Sequence, residues 1–579
     1  MSASCSPIGT RVSVLRLTRI ALATFLVFTS SLQTLPASAQ NDGDTTTPIK
    51  HVIVIIGENH SFDNVFATFQ PVHGRTVNNL LSEGIVTCNG QSGPNVGLAQ
   101  QEQASDTTTY SIDPTRTGPY TTLPQPNTGS ALGQPQNVPD TRFPANLPNA
   151  PYQITKYVPY LNSFVGSPVH RFYQEWQQVN VGKSDLYTWV GNTAATNGAT
   201  QMGYYNMCTG DAPNFKFFAD NYAISDNYHE AAITGTDANH FMLGTGDLPF
   251  YSDGHDNPLV PPANQIANPN PKPGTNNSYT NDTGTYSNCS DPNQPGVGSI
   301  LSYLQSLKLA SDCAAGAYYM LNNTKPGYLP NGQLNTSATA VPPQTQPTIA
   351  DELSAKGISW KYYGQSLTAN LTGNDPNGNY CVACNPFGYS TSVMTTLLRD
   401  NIQDFTNFAT DLANDTLPAV SFIKPDGTDD GHPASSSLSL FETFSTNIVS
   451  EVIKNPKVFK DTAILITFDE GGGYYDSGYV QPLNFFGSGV RIPLMIVSPY
   501  AKKGYVDHTY NDHVSILKFI EKNWRLSTLS ARSLDNLPNP EATLANPYVP
   551  TNSPAIGDLT TLFNFQNQDS QGDQNQNSQ

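Results

Sequence analysis

Three stretches of the chain combine a short apolar run with polar or glycine-rich residues directly after it. The runs are HVIVII at 51–56, PAVSFI at 418–423 and TAILITF at 462–468. Apolar, β-branched runs of this length are typical of strands that are buried on both faces of a parallel sheet. A fourth run of this kind, IPLMIVSP, spans 492–499. The pattern therefore predicts a sheet in which several strands end in polar turns.

Helical patterns separate these runs. Phe62, Phe66 and Phe69 follow the first strand at helical spacing and predict a helix there. Further helices are predicted over 168–180, 348–356 and 514–522, and a further strand over 357–363. Strands that alternate with helices indicate an α/β fold, with a doubly wound, mostly parallel central sheet and helices on both of its faces.

Two long polar segments interrupt this pattern. Residues 89–155 are rich in Pro, Thr, Asn and Gln, residues 251–345 are also polar, and neither segment shows sustained periodicity. We therefore expect long irregular insertions. The chain shows no internal repeat and no linker between two apolar blocks, which predicts one large domain over 40–565. Residues 566–579 have the Gln-, Asn- and Asp-rich composition of a disordered tail.

The first 39 residues have the features of a secretory signal. Arg11, Arg16 and Arg19 precede an apolar core at 20–28, and ASA at 37–39 is a small-residue cleavage site. The core is too short for a membrane-spanning helix. We expect an exported protein, periplasmic or secreted, with no transmembrane anchor in the mature chain. The pattern does not indicate an oligomeric state.

The chain is strongly acidic. Its 28 Lys and Arg against 46 Asp and Glu give a net charge of −18, which becomes −21 without the three Arg of the signal, a segment that contains no acid. A chain of this charge is not expected to bind nucleic-acid backbones.

Six cysteines remain after the signal, and an even number in an exported chain suggests disulfides whose pairing the sequence leaves open. Cys381 and Cys384 have C-x-x-C spacing. No second C-x-x-C and no nearby His supports zinc, so a structural disulfide is the favoured interpretation.

Two of the polar strand ends carry candidate metal ligands. Glu58 and Asn59 follow the first strand, and Asp469 and Glu470, with three glycines after them, follow the strand at 462–468. Two adjacent acids at the end of an apolar strand repel each other unless a cation or hydrogen bonds offset the repulsion. Carboxylate and amide oxygens are ligands for divalent cations. The competing interpretation of Glu58 and Asn59 is a solvated acid beside a helix cap.

The stretch ENHSFDN at 58–64 resembles the E-N-x-S-F-D-x signature of the bacterial phosphoesterase family, which contains phospholipases C and acid phosphatases and is a branch of the alkaline-phosphatase superfamily. The resemblance recurs at intervals from His51 to Pro540. It implies that Thr236, in TGTDANH at 234–240, is the nucleophile, because the family has a Ser or Thr there with Asn three residues later. A hydroxyl that caps a helix is the alternative for Thr236.

The resemblance also implies roles for two histidines. His170 matches a family His ahead of a helix, and His432 matches the His of a D-G-H-P motif. They would contact the phosphoryl oxygens or protonate the leaving alkoxide, with activity favoured at mildly acidic pH. Taken alone, each is a weak signal, since a lone His near a helix start is more often structural. Asp512 and His513 match a late D-H pair and are interpreted as residues that support the ligands or the structure.

The expected ligand set consists of oxygen donors: Glu58, Asn59, Thr236, Asp469 and Glu470. Oxygen donors favour calcium, magnesium or manganese, whereas the superfamily resemblance suggests zinc, so one or more divalent ions are expected and their identity stays open. In the expected reaction Thr236 attacks a phosphorus ester in line, and water then hydrolyses a phosphothreonine.

Where the chain departs from the phospholipase pattern, the departures favour an acid phosphatase. Ala238-Asn239-His240 stands where phospholipases usually have Pro-Asn-Arg, and the role of His240 stays open. Gly471 replaces a family His, and a β-rich extension after the catalytic domain is missing. A phospholipase C acting on phosphatidylcholine-type lipids is the second interpretation. A sulfatase is third, because Thr236 lacks the C-x-P-x-R or S-x-P-x-R signature. A catalytically dead exported binding protein is the alternative from another class.

Overall fold

The computed structural model describes residues 41–194, 196–273 and 278–566. The predicted signal at 1–39 lies outside the described residues, and so does the predicted tail except for Gln566. The described residues form one compact unit by their internal contacts. In the described part of the chain, no helix has the length and apolar composition needed to cross a bilayer.

An eight-stranded sheet forms the centre of the fold. In chain order its strands are β1 (His51–Gly57), β2 (Ala223–Ser225), β3 (Trp360–Gly364), β4 (Ile402–Asp404), β5 (Val420–Lys424), β6 (Thr462–Phe468), β7 (Leu494–Val497) and β8 (Tyr505–Asp507). Their order across the sheet is β4-β3-β5-β1-β6-β7-β2-β8. β7 runs antiparallel to both of its neighbours, and the other neighbouring pairs are parallel.

The centre of the sheet is covered on both faces. All seven residues of β6 are buried, as are six of the seven residues of β1. Because successive side chains of a strand point to opposite faces, burial of every residue requires packing on both sides. The predicted α/β class, with a mostly parallel sheet between layers of helices, is confirmed.

Thirteen α-helices are present among the described residues. They are α1 (Phe62–Phe66), α2 (Phe172–Val179), α3 (Tyr187–Ala194), α4 (Pro213–Asn221), α5 (Thr236–Thr245), α6 (Val297–Leu307), α7 (Ile349–Ala355), α8 (Leu367–Leu371), α9 (Thr391–Met394), α10 (Thr406–Ala413), α11 (Leu438–Lys454), α12 (Pro456–Phe459) and α13 (His513–Trp524). The helices predicted near 62, 168, 348 and 514 are all present; the first three are slightly shorter than predicted, and the last, His513–Trp524, is longer than the predicted 514–522.

The two polar segments contain more regular structure than predicted. Residues 89–155 form short paired strands, of which Glu102–Ser105 with Thr115–Pro119 is the longest pair. The segment 251–345 contains the eleven-residue helix α6. Three disulfides join Cys88 to Cys208, Cys289 to Cys313, and Cys381 to Cys384. The last of them confirms the disulfide interpretation of the C-x-x-C motif.

Candidate active site

Register places the polar ends of the central strands beside one another. Gly57 at the end of β1 is paired with Phe468 at the end of β6, and Ile55 is paired with Ile423 one residue before the end of β5. Because these three strands are parallel and adjacent, the residues that follow them meet at one edge of the sheet. Asn59 and Asp469 therefore become neighbours although they are 410 positions apart in the chain.

A tight turn at Asn59 aims its side chain into this edge. Asn59 has a positive φ of 64°, a conformation that Asn adopts more readily than most residues. Its backbone N–H donates to Asp469 Oδ1 at 2.9 Å. Its side-chain Nδ2 lies 3.3 Å from Nε2 of His170, whose Nδ1–H donates to the carbonyl of Pro168 at 2.7 Å. The amide oxygen of Asn59 is therefore turned away from His170, and it is buried without a hydrogen-bond partner.

Asp469 and Glu470 show the same pattern of one satisfied and one free oxygen. Asp469 Oδ1 accepts from Asn59, and Glu470 Oε2 accepts from the N–H of Gly472 at 2.5 Å. Asp469 Oδ2 and Glu470 Oε1 are buried without a hydrogen-bond partner. Gly472 has φ +64°, and a Cβ there would collide with the carbonyl of Asn59, so the turn requires glycine.

Glu58 is surrounded by donors. Its Oε1 lies 3.1 Å from Lys424 Nζ and 3.3 Å from His240 Nε2, and Thr236 Oγ1 donates to its Oε2 at 3.5 Å. The Cys384 sulfur is 3.2 Å from Glu58 Oε1. Since Cys384 is bonded to Cys381, neither cysteine offers a thiolate to a metal.

The electrostatics follow from burial and from these neighbours. Burial raises the pKa of Asp469 and Glu470 well above the usual range, and neighbouring carboxylates add to the shift, Glu58 on Asp469 and Glu230 on Glu470. Burial acts in the same direction on Glu58, but the Lys424 ammonium and His240 outweigh it and lower the pKa of Glu58. Without another positive charge nearby, burial and these neighbours therefore disfavour the charged forms of Asp469 and Glu470.

These residues fit a divalent cation. Three buried oxygens lack partners, on Asn59, Asp469 and Glu470. Ligand atoms of Glu58, His240 and Asp469 all lie within 4.8 Å of one another. A buried polar atom without a partner is costly, and a cation among such oxygens removes that cost. The donor set differs from the all-oxygen prediction by the presence of the His240 nitrogen.

Thr236 is the first residue of α5, directly after Gly235. Asn239 holds this turn together: its Nδ2 donates to the carbonyls of Thr234 and Ala232, and its Oδ1 accepts from the N–H of Ala232. The hydroxyl of Thr234 donates to the carbonyl of Leu321 and is therefore engaged within the structure. Among the described residues, the partner of the Thr236 hydroxyl is Glu58, so this hydroxyl alone of the two faces the carboxylates.

His170 and His432 lie near each other at the rim, with ring centroids 6.4 Å apart. His170 Nε2 is 3.7 Å from Glu470 Oε1. Burial, followed by the nearby His432, lowers the pKa of His170 to about 4, so this ring is neutral at pH 7. His432 Nδ1–H donates to the carbonyl of Pro433 at 2.5 Å. The structure thus brings His170 to the carboxylates, and His432 to His170.

Lys424 and His240 belong to the site but were not assigned a role from the sequence. His513, expected to support the ligands or the structure, contacts a site residue. Lys424, the last residue of β5, is buried and pairs with both Glu58 and Asp430. His240 donates its Nε2–H to Glu58, and its Nδ1 has no partner. His513 donates from Nε2 to the carbonyl of Asp469 and accepts from the Tyr228 hydroxyl at Nδ1, so it supports the turn at Asp469.

The comparison with known families and proteins gives consistent matches. The model of the phosphoesterase family matches residues 49–527. A probable acid phosphatase of Kluyveromyces lactis is 31% identical over 201 residues, which are 33% of this chain and 45% of that protein. A non-hemolytic phospholipase C of Pseudomonas aeruginosa is 27% identical over 261 residues, 38% of this chain and 34% of that protein. The match therefore spans less than half the length of either relative.

A longer match joins most of the chain to another phospholipase. A non-hemolytic phospholipase C of Burkholderia pseudomallei is 23% identical over 592 residues, covering 93% of this chain and 62% of that protein. Among solved structures, a protein in the alkaline phosphatase superfamily from Vibrio parahaemolyticus matches with 11% identity and a TM-score of 0.25, over 54% of this chain and 59% of that chain.

Proposed function

The chain belongs to the phosphoesterase family, and we propose that it is a cation-dependent phosphomonoesterase of the acid-phosphatase kind, exported from the cell. The names of its relatives, acid phosphatase and phospholipase C, point to phosphoric esters as substrates. The N-terminal pattern of basic residues, apolar core and small-residue site supports export to the periplasm or beyond.

One observation carries the proposal: the Thr236 hydroxyl lies beside Glu58, at a cluster of buried carboxylates that have free oxygens. A phosphate ester is an anion and would be repelled by these carboxylates alone. A cation bound by them reverses the sign of the local charge. A cation-dependent phosphoesterase is therefore the function that the arrangement of the hydroxyl, the acids and the histidines supports best.

Glu58, Asn59, Asp469 and Glu470 would hold the cation, with Thr236 and His240 within reach of the same centre. A divalent ion there lowers the pKa of a nearby hydroxyl and offsets charge on phosphoryl oxygens. The identity of the ion follows from neither the donor set nor the fold, since carboxylates and an amide suit calcium, magnesium or manganese and an imidazole suits zinc.

The residues of the chain supply the remaining chemistry. Thr236 Oγ1 attacks phosphorus and gives up its proton through its hydrogen bond to Glu58 Oε2, and the bond from phosphorus to the ester oxygen breaks. His170 holds a proton on Nδ1 through the Pro168 carbonyl, so Nε2 is the atom that exchanges protons with substrate. A bound phosphate raises the pKa of His170, because it places negative charge beside the ring. The leaving oxygen then takes a proton from Nε2, and water hydrolyses the phosphothreonine.

A phospholipase C is the second candidate, favoured by the alignment of the Burkholderia relative along most of this chain. Its chemistry would use the same residues on a phosphodiester. The two candidates differ in the substrate that the surroundings of the site accept.

A comparison of substrates tests the proposal. We expect kcat/KM to be higher on p-nitrophenyl phosphate and on alkyl phosphomonoesters than on phosphatidylcholine in mixed micelles, and a chelator to abolish turnover. Much faster cleavage of the lipid would reverse the order of the two candidates. Absence of turnover on every ester, in protein shown to contain metal, would leave the dead-scaffold alternative.

A further inference from the structure

A polar pocket adjoins the candidate site on the side of His170. Its volume is about 270 Å³, and its walls include Ser167, His170, Arg171, Thr283, Asn322 and Asn323. Hydroxyl, amide, imidazole and guanidinium groups thus dominate the lining. A pocket whose lining side chains are mostly polar offers hydrogen-bond partners to a hydrophilic ligand.

Two residues that line the pocket contact residues of the candidate active site. One wall is His170, whose Nε2 is 3.3 Å from Asn59 Nδ2 and 3.7 Å from Glu470 Oε1. Another wall is Asn323, whose Oδ1 accepts from the N–H of Asp237, the residue after Thr236. A substrate whose phosphorus lies at the Thr236 hydroxyl would therefore extend the rest of its structure into this pocket.

Arg171 gives the pocket a positive charge. Its Nη1 donates to the carbonyl of Asp282 at 2.5 Å, which orients the guanidinium without neutralising it. Within the part of the chain that the structure describes, no carboxylate forms an ion pair with Arg171. This is notable in a chain with 46 acidic and 28 basic residues, where a carboxylate partner is easily found. By contrast, Lys424, which belongs to the carboxylate cluster of the candidate active site, is paired with two acids.

The amides in the pocket divide into two groups. Asn322 is fully used by the structure, since its Oδ1 accepts from the N–H of Phe172 and its Nδ2 donates to the carbonyl of Gly284. Asn323 is exposed, and only its Oδ1 serves the Thr236 turn. Arg171 and the Asn323 amide nitrogen are both donors, so the pocket presents donors to a ligand that carries acceptors.

We propose that this pocket binds the alcohol portion of the substrate and selects alcohols that carry a second anionic group, with Arg171 as the specificity-determining residue. The inference rests on the proposed phosphoesterase function and names the substrate class for it. A guanidinium without a carboxylate partner binds a carboxylate or phosphate through charge-assisted hydrogen bonds. Preferred substrates are therefore small phosphomonoesters of hydroxy acids, or esters with a further phosphate.

A matched pair of substrates tests this inference. sn-Glycerol 3-phosphate and 3-phosphoglycerate both carry phosphate on a primary alcohol and differ by a CH₂OH group in place of a carboxylate. We expect kcat/KM to be about tenfold higher for 3-phosphoglycerate, the effect of one good charge-assisted contact. The preference should fall to near one in Arg171→Gln and be partly retained in Arg171→Lys.

Arg399→Gln is the matched control. Arg399 also donates Nη1 to a single backbone carbonyl, that of Met394, and is similarly half-buried, but it lies outside the pocket. This variant should keep the full preference for the carboxylate substrate. A fall in preference equal to that of Arg171→Gln would show a general charge effect and overturn the assignment.

The remaining outcomes separate this inference from the function on which it rests. Equal kcat/KM for both substrates in the wild type, with turnover intact, overturns the subsite and leaves the phosphoesterase proposal standing. A preference for bisphosphorylated alcohols that Arg171→Gln removes supports the subsite and identifies phosphate as the second group. Absence of turnover on all phosphomonoesters overturns both proposals together.

Discussion

Two segments of the chain supply two buried clusters of charge that differ in how the charge is balanced. The turn after β1 provides Glu58 to the carboxylate cluster at the site, and helix α1, which follows it, provides Asp63 to an arginine cluster nearby. The turn after β6 likewise provides Asp469 and Glu470 to the first, and Asp476 to the second. All of these side chains are buried.

The arginine cluster is complete within the protein. Arg491, 1% exposed, donates Nε to Asp476 at 2.7 Å and Nη2 to Asp63 at 3.0 Å. Its Nη1 donates to the carbonyls of Asn78 and Asp226. The guanidinium also lies 4.9 Å from the centre of the Phe62 ring. Two acids and one cation with every donor engaged are typical of a structural centre.

The carboxylate cluster, in contrast, has neither balanced charge nor a hydrogen-bond partner for every oxygen. Among the described residues, Lys424 is the lysine or arginine that forms an ion pair there, and it is shared with Asp430. Glu58, Asp469 and Glu470 together carry more negative charge than Lys424 offsets, and free oxygens remain. The difference between the clusters teaches that one balances its charge within the protein, whereas the other leaves carboxylate oxygens free, as our proposal of a bound cation at the site requires.

The largest expected effect is a loss of activity at the carboxylate cluster that leaves stability unchanged. Thr236→Ala should reduce kcat by several orders of magnitude, because it removes the attacking oxygen, while the melting temperature changes little. Steady-state kinetics and thermal unfolding measure both effects. Thr234→Ala is the control: it loses a hydrogen bond to the Leu321 carbonyl, worth about 1 kcal/mol, and should stay active. Loss of activity in Thr234→Ala with a fully active Thr236→Ala would move the nucleophile by two residues.

The next largest expected effect is a loss of stability at the arginine cluster. Arg491→Met should lower the free energy of unfolding by about 3–5 kcal/mol, because Asp63 and Asp476 would remain buried without a counter-charge. Urea denaturation provides the measurement. Lys454→Met removes a cation from an exposed pair with Glu451 and should change stability by less than about 1 kcal/mol. A cost for Arg491→Met no larger than that of the control would refute the structural role.

The same substitution in each cluster sharpens the contrast. In chelated protein, Asp469→Asn should raise the free energy of unfolding by about 1 kcal/mol, because it removes an acid whose burial beside Glu58 is unfavourable and keeps the acceptor for Asn59. Asp476→Asn should lower it by about 2–3 kcal/mol, because Arg491 loses its closest carboxylate. Equal signs for the two variants would contradict the distinction.

A third pair of buried carboxyls, Glu521 and Asp535, lies near Lys518 and affects how stability depends on pH. Burial and the neighbouring Asp535 raise the pKa of Glu521 from 4.5 to about 9. The folded state thus holds a proton that the unfolded state releases, so the contribution of Glu521 to stability is full below pH 4.5 and is lost as pH rises towards 9. Glu521→Gln should make this slope shallower, as measured by unfolding at several pH values. An unchanged slope would show that Glu521 does not hold the proton.

Much of the fold was predictable because it follows from local patterns. The fully buried runs of β1 and β6 and the apolar spacing of α1, α2, α7 and α13 identify those elements. The direction of β7 was not predictable, since an apolar run is the same in either direction. β2 and β8 have three residues each, too few to show a period. Helix α6 was missed because Asn- and Pro-rich neighbours dominate its segment.

The candidate site also contains some residues that the sequence predicted and others that it did not. Glu58, Asp469 and Thr236 were identified because they follow glycine or an apolar strand within recognisable motifs, and the structure brings them together. Lys424 and His240 carry no such signal. The contact of His240 with Glu58 joins residues 182 positions apart, and sequence pattern alone does not encode that distance. Arg491 was missed for the same reason, since its partners lie on two other turns.

Metal content tests the central claim, that the carboxylate cluster requires a cation that the arginine cluster does not. Elemental analysis of purified protein after dialysis should find about one divalent ion or more per chain in the wild type and in the surface control Glu451→Gln. Glu58→Gln and Asp469→Asn should retain little or none. Full occupancy in both site variants, or an active wild type without metal, would contradict the account.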